Sequence, residues 1–493
     1  MDSEPIYKTD ISITTAGSVD SGKSTFVGVL TSGLLDNGNG SARTTVAKHP
    51  HELKSGKTSD IAMKHYLVKD KLRAITFIDL CGHEKYFKTT ANGVCGYFPD
   101  YSFVMIGANR GILQMTKQHF TLLMAANVPQ IVLVTRPDIT PKDVYDQTLT
   151  MIEKYLKSNL KIPGIFVNNY YNDQVSIDIN EVIKFLPKDQ TKQTFIPIIT
   201  ISNKTGYGLD LVRKILHAIE PRDSWSNFDK NKLVNQETNK SVNSKTNNIS
   251  DACVNRIIKG FLTHMDQKYF KNPDDKSLSV FYIDAVYSPP GVGLVVTGIA
   301  RNCELSVGDT VYIGPINKEF KEFRIRGIHN DYRQKIQKLT HHERGCIALA
   351  GEKEFATRQY IKPGMVLIKN KNLIDTNVCY RFNAAITILN HSSTIKNNYT
   401  PLMQIGNVRQ CARLIMDPVC NDGKDTISSK DYAYVTFKFK FKPALIEPYQ
   451  LFIFKSGYIQ GIGVVLDMTP CQNDVDARPD PERQVKIKQF HKK

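Results

Sequence analysis

The chain has 493 residues, of which 41% are hydrophobic and 23% are charged, and its net charge at pH 7 is +17. This length exceeds what one hydrophobic core usually supports, so two or three domains are expected, and the ordinary composition excludes disorder throughout. The positive charge favours a polyanion such as nucleic acid as a partner, although a solubilising surface explains it equally well. The nine cysteines are odd in number and form no C-x-x-C pair. That pattern argues against a disulfide framework or a zinc cluster, and it favours a reducing compartment.

No segment of the sequence has the character of a membrane span. The first fifteen residues contain acidic side chains and no apolar core, so they do not resemble a signal peptide. The best apolar stretch, residues 122–134, is too short and is interrupted by polar residues and a proline. We therefore expect a cytoplasmic protein, most simply a monomer.

From residue 10 to about 220, short apolar runs alternate with longer helical patterns. Buried strands are predicted at ISITTAG, AITFIDL, SFVMIGA, QIVLVT and FIPIITIS. Strands separated by helices imply a parallel-dominated sheet with flanking helices. The segment ITPKDVYDQTLTMIEKYLKS is predicted to be a helix that Thr140 caps, with Pro141 in its first turn.

Beyond this region the pattern changes twice. A polar tract rich in Asn, Lys and Ser predicts an insertion or linker, and then short strands with turn signals predict two small closed β-barrels. In YVTFKFKFK the period of two predicts that Lys438, Lys440 and Lys442 share an outer face, as a solvated edge strand or along an RNA backbone. The predicted domains are the α/β domain at 1–222, the insertion at 223–277, barrels at 278–372 and 373–468, and a polar tail at 469–493.

A phosphate-binding loop is the first chemical signal. Residues 17–24, GSVDSGKS, fit the template G-x-x-x-x-G-K-S and lie between a predicted strand and a predicted helix. Backbone N–H groups of such a loop converge on phosphate oxygens, Lys23 spans the β and γ phosphates, and the Ser24 hydroxyl can ligate Mg²⁺. The residues predicted to bind nucleotide here are Gly17, Ser21, Gly22, Lys23, Ser24 and Thr25.

A phosphate-sensing segment is predicted after the next apolar strand, in AITFIDLCGHE. The Asp79 carboxylate can orient Mg²⁺, and the Gly82 N–H can contact the γ phosphate. Residues 36–60 have no clean periodicity and are predicted to form a mobile loop, from which Thr58 could reach both Mg²⁺ and the γ phosphate. The predicted metal ligands are therefore Ser24, Thr58 and Asp79.

Two segments, VTRPD and SNKTGYGLD, indicate which base the bound nucleotide carries. The Asp138 carboxylate can accept from both N1–H and the 2-amino group of guanine, whereas adenine lacks both donors and would leave the charge unpaired. Ser202 and Asn203, followed by Lys204, can offer backbone contacts to the guanine carbonyl. GTP is thus favoured over ATP, and an ATP-dependent kinase or motor remains the alternative from another class.

These motifs, in this order, resemble those of the translational GTPases related to elongation factor Tu, and most closely the branch of GTP-binding proteins 1 and 2. The resemblance runs from about residue 11 to 468. It implies a GTPase domain followed by two β-barrels, binding of aminoacyl-tRNA, and hydrolysis of GTP to GDP at the ribosome. It also implies that His83 positions the attacking water, that Val19 and Asp20 belong to the phosphate loop, and that a monovalent cation can sit near Asp20.

The sequence departs from the elongation factor Tu pattern in the segment predicted to recognise the nucleotide base. Thr135 and Arg136 replace Asn and Lys there. Arg136 can lay its alkyl stem along the base, but Thr135 is predicted to lose the amide tie to neighbouring loops and so to weaken guanine binding. A second reading keeps the fold and makes the protein a GTP-binding scaffold in RNA surveillance or decay with little turnover. Its partners would then be RNA-decay proteins, and in either reading a guanine-nucleotide exchange partner is a further candidate.

Overall fold

The structure is a computed structural model of the full chain. It falls into two compact units. The first consists of residues 1–256, 329–335 and 342–345, and the second is the remainder of the chain. The residues described are 5–47, 52, 58–172, 177–186, 193–222, 279–316, 318–389, 394–416, 426–428, 431–448, 450–456 and 458–474. The predicted insertion at 223–277 and most of the predicted tail therefore lie outside the described residues.

The first unit is built on a seven-stranded sheet in the order β2-β3-β1-β4-β5-β7-β6. All of its neighbouring strands pair in parallel except β2 and β3, which are antiparallel. Its strands are β1 (Ser12–Ala16), β2 (Ala62–Val68), β3 (Arg73–Asp79), β4 (Tyr101–Gly107), β5 (Gln130–Thr135), β6 (Gly164–Phe166) and β7 (Ile196–Ile201). Its helices are α1 (Lys23–Ser32), α2 (Phe87–Cys95), α3 (Gln114–Ala125), α4 (Lys142–Tyr155), α5 (Ile179–Phe185) and α6 (Leu209–Ala218).

The predicted apolar runs form the centre of this sheet. Strands β1, β4, β5 and β7 are buried along their whole length, as expected for parallel strands covered on both faces. The edge strand β2 was not predicted, because its sequence AMKHYLV mixes polar and apolar residues and most of it is only half-buried. Since parallel strands end at one edge, the loops after β1, β3 and β5 meet there.

Two closed barrels follow. In each, six strands form a ring, in the orders β11-β16-β8-β9-β15-β12 and β22-β20-β19-β24-β25-β17. The elements of the first are β8 (Val280–Tyr287), β9 (Leu294–Arg301), β10 (Leu305–Ser306), β11 (Thr310–Ile316), β12 (Glu319–Asn330), β13 (Lys335–Ile336), β14 (Lys338–Leu339), β15 (Arg344–Gly351) and β16 (Val366–Ile368). Those of the second are α7 (Asn372–Asn377), β17 (Val378–Ile388), β18 (Ile395–Lys396), β19 (Leu402–Ile405), β20 (Val408–Met416), β21 (Thr426–Ile427), β22 (Tyr432–Phe439), β23 (Ala444–Leu445), β24 (Leu451–Ser456) and β25 (Tyr458–Pro470). The fold class predicted from the sequence is thus confirmed.

Two local predictions are wrong. Thr140 does not cap α4, since its hydroxyl donates instead to the Arg136 carbonyl at 2.7 Å and Pro141 precedes the helix. The lysine face of β22 is not a solvated edge, because β22 pairs with β17 on one side and β20 on the other. Lys438 stands directly opposite Arg381 and Arg413 in those strands and is only 1% exposed. It is therefore not part of an open basic stripe.

No helix in the described ranges has the length and hydrophobicity needed to cross a lipid bilayer.

Candidate nucleotide-binding site

The loop between β1 and α1 has a backbone that only glycine adopts easily at two points. Gly17 has φ 131° and Gly22 has φ 87°, and both values lie in the left-handed region. A Cβ at Gly17 would also collide with the carbonyl oxygen of Met105. The loop therefore passes close against β4 before its last glycine turns the chain into α1, the geometry in which backbone N–H groups point toward a bound phosphate.

Lys23 closes this loop with its own side chain. Its Nζ donates to the carbonyl oxygens of Ser18 at 2.8 Å and Gly17 at 3.1 Å, and the residue is 6% exposed. Burial lowers the pKa of Lys23, while the nearby Asp79 carboxylate opposes that shift. The ammonium is thus held at the mouth of the loop, where it can meet phosphate oxygens.

The three predicted metal ligands lie together. Ser24 Oγ donates to Asp79 Oδ2 at 2.5 Å and lies 3.1 Å from Thr58 Oγ1. Asp79 is fully buried, its other oxygen accepts from Thr15 at 2.7 Å, and burial raises the pKa of its carboxyl. A carboxylate flanked by two hydroxyls is a hard-oxygen donor set of the kind that Mg²⁺ takes alongside substrate phosphates, so these residues fit that ion.

The segment after β3 lies against the phosphate loop. A Cβ at Gly82 would come within 2.7 Å of the Ser18 carbonyl carbon, so the two backbones are in close contact. His83 follows, with Nδ1 accepting from the Lys85 N–H at 3.1 Å. The neutral ring then carries its proton on Nε2, which is the atom left to meet a water. Cys81 is buried, its carbonyl accepts from Thr90 Oγ1 at 2.8 Å, and burial raises the pKa of its thiol to about 12.

The predicted base-binding residues come from the loops after β5 and β7. Ser202 Oγ donates to Asp138 Oδ1 at 2.7 Å, which orients the carboxylate. Ser202 Oγ in turn accepts from the Lys204 and Thr205 N–H groups at 3.3 and 3.1 Å. Arg136 has φ 61°, a left-handed conformation that is rare outside glycine and that turns the chain sharply before Asp138. The backbone of the four residues after β5 thus positions the Asp138 carboxylate.

The prediction that Thr135 loses its tie to neighbouring loops is wrong. Its hydroxyl donates to the Ser21 carbonyl in the phosphate loop at 2.9 Å, and it also lies 3.4 Å from the Ile106 carbonyl. Thr135 is only 1% exposed. Its hydroxyl is one atom shorter than an Asn amide, and the 2.9 Å distance shows that it still reaches the phosphate loop. The tie between the base loop and the phosphate loop is therefore kept by a different group.

The loop predicted to be mobile is pinned in its described first part. The Asp36 carboxylate accepts from the backbone N–H groups of Gly38, Gly40 and Ala42 at 2.9 to 3.1 Å. The Asp36 N–H donates to the Asn203 carbonyl at 2.9 Å. Residues 36–47 are thus fastened to the loop after β7, and only the later predicted segment, 48–57, lies mostly outside the described residues.

A single cleft gathers most of the predicted residues. One residue in it that sequence reasoning missed is Arg43, which lies in the 36–47 segment where no motif signalled it. At the rim, Asp20 pairs with Arg110 at 3.5 Å, so a protein cation already stands near the predicted monovalent-cation position. The cleft is lined by Val19, Asp20, Gly22, Lys23, Ser24, Thr25, Arg43, Thr58, Gly82, His83 and Arg136.

His119, on α3, is a second residue that sequence reasoning missed. Its Nδ1 accepts the Gly17 N–H at 2.8 Å, and its ring stacks on Phe87 with the centroids 6.0 Å apart. The side chain is fully buried, and burial lowers its pKa to about 3. A neutral imidazole therefore fixes the first glycine of the phosphate loop. No local motif marks it, because the two residues are 102 positions apart.

We expect His119→Gln to make the protein less sensitive to acid. The unfolded ring takes up a proton near pH 6.5 and the folded one only near 3, so stability is complete above 6.5 and declines as the pH falls between those values. From pH 7 to pH 5 this residue alone should remove about 2 kcal/mol from the free energy of unfolding. Glutamine keeps an acceptor for the Gly17 N–H and does not titrate. Urea unfolding at both pH values measures the difference.

The matched control is His329→Gln, which removes an exposed histidine from β12 in the same unit. This variant should lose stability on acidification as the unaltered protein does. Equal acid losses for His119→Gln and the unaltered protein would contradict a neutral, buried His119.

Comparison with known proteins agrees with this geometry. Residues 8–250 match the family model of the elongation factor Tu GTP binding domain. GTP-binding protein 1 of Xenopus laevis is 29% identical over 98% of this chain and 67% of its own length, and GTP-binding protein 2 of Mus musculus is 27% identical over 93% and 69%. Elongation factor 1-alpha of Hyperthermus butylicus is 24% identical over 96% and 99%. The chain thus spans about two-thirds of the length of the first two relatives.

Solved structures share the fold. A bacterial selenocysteine-specific elongation factor superposes with a TM-score of 0.60 at 16% identity, over 98% of this chain and 62% of that one. The elongation factor SelB of Methanococcus maripaludis, in complex with the GTP analogue GppNHp, gives 0.57 at 17% identity, over 95% and 81%.

A phosphate loop, a sheet edge that presents carboxylates and two closed barrels occur together in this structure, and residues 8–250 match the elongation factor Tu GTP binding domain, so the chain contains a GTPase domain of that type. The chain is homologous to GTP-binding proteins 1 and 2 and, at lower identity, to elongation factor 1-alpha. The resemblance inferred from the motifs is confirmed, and an ATP-dependent kinase or motor is set aside.

Proposed function

We propose that this GTPase binds tRNA in its GTP form and acts at the ribosome, which stimulates its hydrolysis. The observation that carries the proposal is His83. It lines the nucleotide cleft, is only half-buried, and its one described hydrogen bond is to the backbone two residues later. A ring held this loosely does not fix a water by itself, so a docking partner is needed to set it.

The roles of the other residues follow from their positions. Lys23 would neutralise charge on the β and γ phosphates and the Gly82 N–H would sense the γ phosphate, a role supported by their position against the phosphate loop. A bound Mg²⁺ would supply further charge neutralisation, held by Ser24, Thr58 and Asp79. Little covalent help from the protein is needed, since phosphoryl transfer depends mainly on positioning and electrostatics.

The proposed binding of tRNA and of the ribosome is supported by the relatives of this chain and by its net positive charge. The named relatives include elongation factors, and the net charge of +17 favours capture of a polyanion. The cytoplasm, where such partners are found, is the proposed location.

The test uses the full chain with and without purified ribosomes. We expect slow GTP hydrolysis alone and a rise of at least a hundredfold with ribosomes, together with filter retention of charged tRNA in GTP but not in GDP. Unstimulated hydrolysis with no tRNA retention would overturn the proposal. Persistent GTP binding under the same conditions would instead favour the scaffold in RNA surveillance or decay.

A further inference from the structure

The side chain of Asn203 is the polar group in the nucleotide site whose hydrogen bonds are least accounted for. Its Oδ1 is shielded from solvent, and among the described residues it has no hydrogen-bond partner. Within the same part of the chain, no acceptor is found for its Nδ2 either. Both N–H donors on Nδ2 are therefore uncommitted within the described residues, and a ligand acceptor is one partner that could take one of them.

The amide lies over the phosphate loop, next to Thr135. Measured from the position that a Cβ would take on Gly22, Asn203 Nδ2 is 3.5 Å away and Thr135 Cβ is 3.8 Å away. The two side chains thus cover the same face of the last glycine of the loop. This face lies between the phosphate loop and Asp138, because Ser202, the neighbour of Asn203, donates to Asp138.

Thr135 itself has no donor left for a base. A hydroxyl carries one proton, and that of Thr135 is directed to the Ser21 carbonyl. An Asn side chain at this position would carry two N–H donors, so one would remain after the loop contact was made. Thr135 makes the loop contact and has no second donor.

Guanine has an acceptor that the remaining residues leave unmatched. Asp138 takes the N1–H and 2-amino donors, and a backbone N–H of the loop after β7 can serve O6, which leaves N7 without a donor. An amide N–H of Asn203 supplies what N7 lacks.

We propose that the side-chain amide of Asn203 donates a hydrogen bond to N7 of guanine and so takes over the base contact that Thr135 cannot make. Asn203 is held in place for this role at its main chain. Its carbonyl accepts the Asp36 N–H at 2.9 Å, and the Ser202 N–H before it donates to the Tyr207 carbonyl at 2.9 Å. A side chain on such a fixed backbone needs to order only its own two torsions to bind.

The experiment measures the affinity of the full chain for GDP and for 7-deaza-GDP, which has a C–H in place of N7, by titration calorimetry. The unaltered protein should prefer GDP by roughly tenfold, the value of one good hydrogen bond to a buried acceptor. Asn203→Ala should lose roughly tenfold in GDP affinity, keep its 7-deaza-GDP affinity, and so lose the preference. The double variant Thr135→Asn, Asn203→Ala should regain the preference. The control Asn180→Ala, an exposed residue of α5, should behave as the unaltered protein.

Two results would overturn the proposal. One is an unaltered protein that binds both nucleotides equally. The other is Asn203→Ala that still prefers GDP, including the case in which both affinities fall together because the loop is damaged. The inference rests on the guanine-nucleotide site alone, so absence of ribosome stimulation or tRNA retention would refute the proposed function and leave this result standing.

Discussion

Asp138→Asn is expected to lower the affinity for GTP by about a thousandfold and to create affinity for xanthosine triphosphate. The carboxylate accepts from two donors of guanine, and an asparagine amide can accept from only one while its NH₂ group faces the 2-amino group. Loss of a charged hydrogen bond together with that repulsion costs about 4 kcal/mol, which corresponds to the thousandfold change. Xanthine has an oxygen at this position, and the new amide can donate to it. Competition binding with the two triphosphates measures both changes.

Ser202→Ala is the matched control for that substitution. It removes the hydroxyl that donates to Asp138 Oδ1 at 2.7 Å and keeps the carboxylate itself. We expect a loss of about 1 kcal/mol, or roughly fivefold, with no gain for xanthosine triphosphate. If Asp138→Asn bound GTP as tightly as the unaltered protein, the base would have to be recognised elsewhere.

His83→Ala should lower the partner-stimulated rate of GTP hydrolysis by a factor of about 10² to 10⁴, the usual contribution of a positioned acid–base or water-orienting side chain. GTP affinity should stay within about twofold, because the described contact of His83 is to the Lys85 N–H, outside the phosphate loop. Single-turnover hydrolysis with saturating ribosomes gives the rate, and calorimetry gives the affinity.

Lys88→Ala, in the first turn of α2 and exposed, is the companion control for surface charge near the same segment. It should retain the stimulated rate. A His83→Ala protein with full stimulated activity would remove this residue from the mechanism, even if the ribosome still accelerated hydrolysis.

The sequence predicted those parts of the protein whose signals are local. The strand, the loop spacing and the helix around Lys23 are contiguous, so one stretch of sequence was enough to place them. Ser24, Thr58 and Asp79 were grouped on chemistry, and the structure brings their oxygens together. The barrels were predicted from regular strand and turn spacing, which also survives in the sequence as a local pattern.

What the sequence could not predict depends on distant residues. The support of Gly17 by His119 spans 102 positions, and the tie from Thr135 to Ser21 spans 114. Substitution of an amide by Thr looked like a loss because the acceptor, a main-chain carbonyl, carries no sequence signal. Lys438 looked exposed because alternation assigns a face without showing what stands beside it.

The Asp36 carboxylate has a consequence for how fast nucleotide can bind. By accepting from three backbone N–H groups, it removes conformational freedom from the segment after α1 when the protein folds. The Asp36 N–H extends that order to the Asn203 carbonyl. A nucleotide arriving at the base-binding loop therefore finds it already ordered, and association should lose little conformational entropy there. Binding of the base should accordingly resemble docking to a rigid surface.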